Sequence, residues 1–202
     1  MKMQWQALKF EGIVIGYQDQ GDADRLISFY TPHLGKIETV ARGIRHEKSK
    51  LKGHLELLTR GEFIIARNRG RGVIIDALSG SVFPRMHTNA ERAYIGLAVA
   101  SMYDSYLYPH AKDESLWRLL VDVLTNLDMA QDFSLHDALG ILQGFAHAFL
   151  ARLGYADTTS LFAGNMRQYD ALLAHTDISG PTFARTERGL RELTQSFEVG
   201  YT

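Results

Sequence analysis

Ten Lys and Arg side chains fall between Lys36 and Arg71, against four carboxylates, a local net of six positive charges. Cations at this density can neutralise the phosphates of a polyanion and release its counterions, giving salt-dependent, sequence-tolerant binding. The candidate phosphate contacts are Lys36 and Arg42 on one predicted strand, then Arg45, Lys48, Lys50 and Lys52 on a basic arm. Arg67, Arg69 and Arg71 follow at a predicted hairpin tip. A charge run is equally compatible with an ordinary solvated loop. Tyr17, Phe29 and Tyr30 are aromatic candidates for base stacking, although Phe29 sits among apolar neighbours inside a strand and reads as core.

Other chemistry is sparse. The eight histidines lack metal-ligand spacing, and the chain has no cysteine, so no thiolate metal site or disulfide is available. Asp22 and Asp24 resemble a catalytic pair but stand in a turn cluster without a partner base. Arg69-Gly-Arg-Gly lacks the Lys-Ser/Thr ending and following helix of a phosphate loop. Gly140 and Gly144 fit close helix packing. With no paired acid and base, an enzyme reading has little to stand on.

The elements that must position the cations change character along the chain. Phe10–Gly16, Arg25–Thr31, a segment from Lys36 to Arg42, Glu62–Ala66 and Val73–Leu78 are short β-branched and aromatic runs separated by turn residues. In the third, Ile37, Thr39 and Ala41 share one face, while Lys36, Glu38, Val40 and Arg42 share the other. Five such strands fit a Greek-key barrel of the oligonucleotide-binding (OB) kind, with a sandwich as the competing architecture. Near Pro84 the period switches. Thr88 and Glu91 have capping-box spacing ahead of a first helix, a second helix is expected from about Asp113, and a third runs from Ser134 to Gly154. Residues 157–182 read as loop-rich, and Thr186–Phe197 as a last helix weakened by Gly189. The expected organisation is thus α+β and multidomain: a nucleic-acid-binding barrel over residues 1–82, then a helical region over 83–202 with no zinc site.

Charge divides along the same line. Residues 1–80 carry thirteen Lys/Arg and nine Asp/Glu, whereas residues 81–202 carry nine and fourteen. A basic half joined to an acidic one suggests two jobs, one of them polyanion binding. No apolar run approaches the ~18 residues of a membrane span. The amino terminus lacks the apolar core of a signal peptide. The expectation is a cytoplasmic protein without a membrane partner or cofactor.

The series Glu11-Gly-Ile-Val-Ile-Gly-Tyr, Gly21-Asp-Ala-Asp-Arg-Leu-Ile, Thr31-Pro-His-Leu-Gly-Lys-Ile, Ala41-Arg-Gly-Ile-Arg and Ser49-Lys-Leu-Lys-Gly-His-Leu-Glu resembles the RecO family of bacterial recombination mediators. The likeness in order and spacing covers roughly residues 8–85. Leu153-Gly-Tyr, closing a long helix, resembles that family's helical domain. Many members carry four zinc-binding cysteines beyond that point; this chain has none, so that site is expected to be absent. The resemblance implies an OB barrel with a helical domain, binding of single- and double-stranded DNA, and annealing of complementary strands. It also implies action with RecR to help RecA replace single-strand-binding protein (SSB), by a protein that is not an enzyme. It implies that the acidic carboxyl-terminal tail of SSB docks on the helical domain, where Arg118 and Arg152 are the candidate partner-binding residues. An RNA-binding or adaptor module on the same barrel is the alternative, because RNA also stacks and carries phosphate.

Overall fold

The computed structural model describes residues 6–67, 71–81, 83–131 and 135–155. Five strands, β1 (Gln6–Gln20), β2 (Asp24–Thr31), β3 (Gly35–Ala41), β4 (Arg60–Arg67) and β5 (Gly72–Ser81), close a barrel in the order β1-β2-β3-β5-β4. Helices α1 (Pro84–Thr88), α2 (Ala90–Tyr106), α3 (Glu114–Met129) and α4 (Leu135–Arg152) follow. The expected fold class is therefore what the chain adopts in its described part, a barrel followed by helices. The expected features over 157–182 and 186–197 lie outside the described residues, as do Arg69 and Ser134.

Strand β1 is far longer than its β-branched centre suggests. Its first half pairs with β4, from Gln6 opposite Arg67 to Ile13 opposite Arg60. Its second half pairs with β2 past a bulge at Val14/Gly16, out to Gln20 opposite Asp24. Gln18, Asp19 and Gln20 thus belong to the strand and not to the turn. Ladder pairing fixes them without burial, so their polarity does not mark the strand's end. Among the described residues two pairs, Thr39–Gly72 and Val40–Val73, close the barrel in parallel.

Inside the barrel, Phe10, Phe29 and Phe63 meet with ring centroids 4.6–5.7 Å apart. Val14, Ile27, Ile37, Ile65 and Ile74 surround them. Phe29 is barrel core. Tyr30 points the other way but is no stacking platform either, for the outward face of β1 and β2 is covered by the helices. Ile13, Ile15 and Tyr30 join Val99, Tyr103, Trp117, Leu120 and Phe149 in one continuous apolar core. The Tyr30 ring lies 5.0 Å from Tyr103 and 6.4 Å from Trp117. Its hydroxyl donates to the Asp113 carbonyl at 3.2 Å. Burial, reinforced by the Asp113 carboxylate, pushes this phenol up to about 12.

Lys36 occupies the same seam. Its side chain is 8 % exposed, and its ammonium forms an ion pair with Asp104 on α2 at 2.9 Å and also donates to the Asp104 carbonyl. A Cβ at Gly16 would collide with the Asp104 carboxylate, so the glycine leaves room for the carboxylate in the place where it pairs with Lys36.

The helix ends are tied to each other. Pro84 does not merely break the sheet pattern; it opens α1 at a first-turn position that needs no amide donor. Asp128 at the end of α3 accepts from the Arg85 and Met86 amides at 2.8 and 3.2 Å. In return, the buried Arg92 guanidinium donates to the Leu127, Asp128 and Ala130 carbonyls. The expected capping box at Thr88 is not formed. Thr88 ends α1, its hydroxyl bonding back to the Pro84 and Arg85 carbonyls, and Asn89 caps α2 through the Arg92 amide. Helix α3 starts next to Asp113 as expected, and the Asp113 carboxylate caps it by accepting from the Ser115 and Leu116 amides. Its carboxyl is held below the ordinary aspartate value by the Ser115 hydrogen bond first, with the α3 amides and the Arg152 charge adding to it against desolvation. Gly154 closes α4, with the Tyr155 amide reaching back to the Leu150 carbonyl at 3.1 Å.

Asp104→Ala leaves the Lys36 ammonium without its counter-ion. The expected loss is about 2–3 kcal/mol, below the ~3–5 of a fully buried pair because the Asp104 side chain is 35 % exposed. Urea unfolding should show a lower midpoint at unchanged slope, with much of the loss recovered in Lys36→Met/Asp104→Ala.

Candidate nucleic-acid interface

The basic arm is anchored at both ends. It leaves β3 at Gly43, whose backbone turns at φ +62 and whose amide donates to the Asp24 carboxylate at 2.7 Å. The Arg45 amide bonds the Ala23 carbonyl at 3.0 Å, and Ile44 is buried in the barrel core. Single hydrogen-bonded turns carry the chain from His46 through a short 3-10 segment at Lys52–His54. On the return leg Leu55 enters the barrel core and Leu58 the helical core. Leu58 adopts φ +67, a conformation costly for a leucine, and its amide donates to the Val14 carbonyl at 2.9 Å. The buried side chain and this bond hold it there. The arm is thus a fixed loop that presents a row of cations.

Lys48, Lys50 and Lys52 are exposed along it and make no ion pair among the described residues. Arg42, at the base, is likewise exposed and unpaired among them. Arg45 is partly engaged, with Asp19 at 3.6 Å and the Gly21 carbonyl at 3.1 Å. Arg71 meets Glu38 at 3.0 Å, an exposed pair that a phosphate can compete for. Arg67 is exposed at the end of β4. Lys36 departs from the expectation: it does lie on the outward face of β3, but the helices cover that face at its position and Asp104 holds its charge. It is withdrawn from the candidate contacts.

In barrels of this architecture the β2–β3 face and the β1–β2 and β4–β5 loops form the ligand-binding side. Here the helices occupy the half of that face nearest Tyr30 and Lys36. Glu38 and Val40 remain partly exposed beside the loops. The arm springs from the same end of β3 that faces the β1–β2 turn. The open half of the face, the arm and the arginines flanking the β4–β5 tip therefore converge.

The cation count from Lys36 to Arg71 left out two supporting residues, Arg25 and Asp24. The Arg25 guanidinium lies 4.2 Å over the Tyr17 ring and bonds Asp19 at 2.6 Å, so the protruding β1–β2 hairpin presents an aromatic and a cation together. Asp24, read as a solvated turn residue, fixes the arm's first turn. On the helical side, Arg118 pairs with Glu114 on the outward face of α3, both largely exposed. Arg152 ends α4 with a bond to the Ala148 carbonyl at 2.9 Å. Among the described residues, no group of three or more His, Asp and Glu could hold a metal ion, and no helix is long and apolar enough to cross a membrane.

Residues 1–77 match the protein-family model described as "Recombination protein O N terminal". The chain is 32% identical over 139 residues to a DNA repair protein RecO from Roseiflexus sp., covering 64% of this chain and 49% of that protein. It is 34% identical over 125 residues to one from Dehalococcoides mccartyi, covering 59% and 47% respectively. A more distant relative, a DNA repair protein RecO from Pelotomaculum thermopropionicum, is 27% identical over 147 residues, 73% of this chain and 55% of that one. The chain spans about half the length of the curated relatives it matches.

Replacing Lys48, Lys50 and Lys52 together with Ala is expected to weaken binding of a single-stranded oligonucleotide. The slope of log affinity against log salt should flatten by about 0.7 for each phosphate no longer neutralised. Lys36→Met should leave that slope unchanged. Titrations at a series of salt concentrations check both; an unchanged slope in the triple variant marks the arm as a solvated loop.

Proposed function

We propose that this chain is a member of the RecO family, whose amino-terminal model matches residues 1–77 and to whose members it is similar, and that it is a DNA repair and recombination protein that binds single- and double-stranded DNA and anneals complementary strands. On this reading residues 1–82 form the nucleic-acid-binding unit and residues 83–202 the helical, partner-facing unit of a cytoplasmic protein. The observation that carries it is the anchored arm of unpaired lysines beside the open half of the barrel face. Annealing asks a protein to bring two polyanions together with their repulsion screened, while leaving base edges free to pair. A fixed cationic row that touches backbones does this without making or breaking a bond. Arg42, Arg45, Lys48, Lys50, Lys52, Arg67, Arg69 and Arg71 are the proposed phosphate contacts.

The helical unit, acidic overall, suits a local docking site better than broad attraction of a polyanion. The proposed ligand there is the acidic tail of SSB, its carboxylates taken by Arg118 or Arg152 and its apolar end by the surface between α3 and α4. RecR is the proposed partner in delivering SSB-coated strands to RecA.

One assay tests this reading. The wild-type chain should anneal complementary strands both naked and SSB-coated, and the triple-lysine variant should fail on both. Excess tail peptide, or Arg152→Ala with Arg118→Ala, should slow annealing on coated strands alone. Equal competition by RNA would point to the RNA-binding alternative, and failure of the wild type on naked strands would end the annealing proposal.

A further inference from the structure

Between α2 and α3 the chain makes a tight turn that has no part in the barrel-side interface. The Ala111 amide bonds the Tyr108 carbonyl at 3.1 Å across Pro109 and His110. His110 stands third in the turn with φ +63, where a glycine is usual. The surroundings hold it there. Its amide donates to the Lys36 carbonyl at 2.8 Å, and Pro109 bridges Lys36 in parallel. The Ala111 carbonyl lies so close to Gly35 that a Cβ at that position would strike it. The turn is therefore bolted to the start of β3, itself fixed by the Lys36–Asp104 pair.

The same turn presents Tyr108 to water. Leu107 beside it is buried, yet Tyr108 is 83 % exposed, the highest value among the exposed large apolar residues of the described chain. Holding so much ring in water on a rigid support serves no packing purpose. His110 in the turn and Lys112 just after it are exposed, as is His33, two residues before the Gly35 that Ala111 packs against. The nearby carboxylates are engaged elsewhere: Asp104 with Lys36, Asp113 with the α3 amides, and Glu114 with Arg118. Lys112 has no ion pair among the described residues. An immobile exposed ring beside an unpaired cation is what unstacked bases and their phosphates bind.

We propose that the Tyr108–Ala111 turn, with Lys112 and His33, is a second contact for single-stranded nucleic acid, in which a base stacks on Tyr108 and an adjoining phosphate meets Lys112. The proposal rests on the polyanion-binding reading of the barrel and adds to it a place for another strand, or another stretch of the same one. The turn and the arm sit at opposite ends of β3, roughly 20 Å apart at the usual strand rise. Duplex DNA, whose bases are already stacked, has no use for the ring, so this contact discriminates in favour of single strands.

The test uses the full chain with Lys48, Lys50 and Lys52 replaced by Ala, titrated with a short oligothymidylate at low salt. Residual binding is expected. Tyr108→Ala should weaken it by roughly 5- to 100-fold, the loss of one stacked base, whereas Tyr108→Phe should retain it. Lys112→Ala should lower the salt slope by about 0.7. Neither Tyr108 variant should alter binding of a blunt duplex by the chain with its lysines intact. If the lysine variant has no residual binding, or its binding is indifferent to Tyr108→Ala, the second contact is overturned while the arm reading stands. If the chain with its lysines intact binds no oligonucleotide at all, both fail. An acidic peptide that binds through Tyr108 when oligothymidylate does not would also overturn the proposal and assign the turn to a protein partner.

Discussion

The structure depends on the centre of β1, Gly12 to Gly16, and most of β2 being buried on both faces. Their inward residues, Val14, Ile27 and Phe29, fill the barrel, and their outward residues, Ile13, Ile15 and Tyr30, fill the base of the helical core. A strand buried on both sides reads as a continuous apolar run rather than an alternation, and Gly12 to Gly16 does so. Fully burying each large side chain contributes about 1.5–3 kcal/mol, so this seam joins barrel and helices firmly. The Lys36–Asp104 pair adds little net stability for its desolvation cost. It does penalise any other register of α2 on β1, because a displaced helix would strand a buried ammonium.

That seam also determines what remains for ligands. By covering Tyr30 and Lys36 the helices remove half of the β2–β3 face from solvent. The exposed half adjoins the β1–β2 hairpin, the arm and the β4–β5 tip. The arm keeps its place because Ile44 and Leu55 sit in the barrel core and Leu58 in the helical core. Its cations are held on a fixed loop, so less conformational freedom is lost when they meet phosphates. The protruding β1–β2 hairpin extends the same side with Tyr17 and Arg25, an aromatic ring under a guanidinium.

Much of this was legible in the residues. Five β-branched runs became five strands, and the helical periods became α2, α3 and α4, with Asp113 and Gly154 at the ends expected of them. Alternation placed Lys36 correctly on the outward face of β3. What it could not supply is that another part of the chain covers that face, since tertiary burial leaves no local mark on a lysine. Tyr30 fails as a stacking platform for the same reason. The capping error at Thr88 is different in kind: Thr88 and Asn89 are both good caps, and only the extra helix opened by Pro84 consumes one and frees the other. Gln18 to Asp22 carried turn chemistry, yet pairing with β2 kept the first three in the ladder. Asp24 and Leu58 had no sequence signal for their roles, because each acts through a backbone partner distant in the chain.

The most direct measurement of where nucleic acid lies is amide hydrogen exchange of the full chain with and without a single-stranded oligonucleotide. Slowed exchange is expected over residues 42–54 and the β1–β2 turn. No change is expected on the outer face of β5 around Ile75 and Leu78, which is exposed but carries no cationic row. Protection confined to β5, with residues 42–54 exchanging as they do in the free chain, would contradict the placement of nucleic acid on the arm.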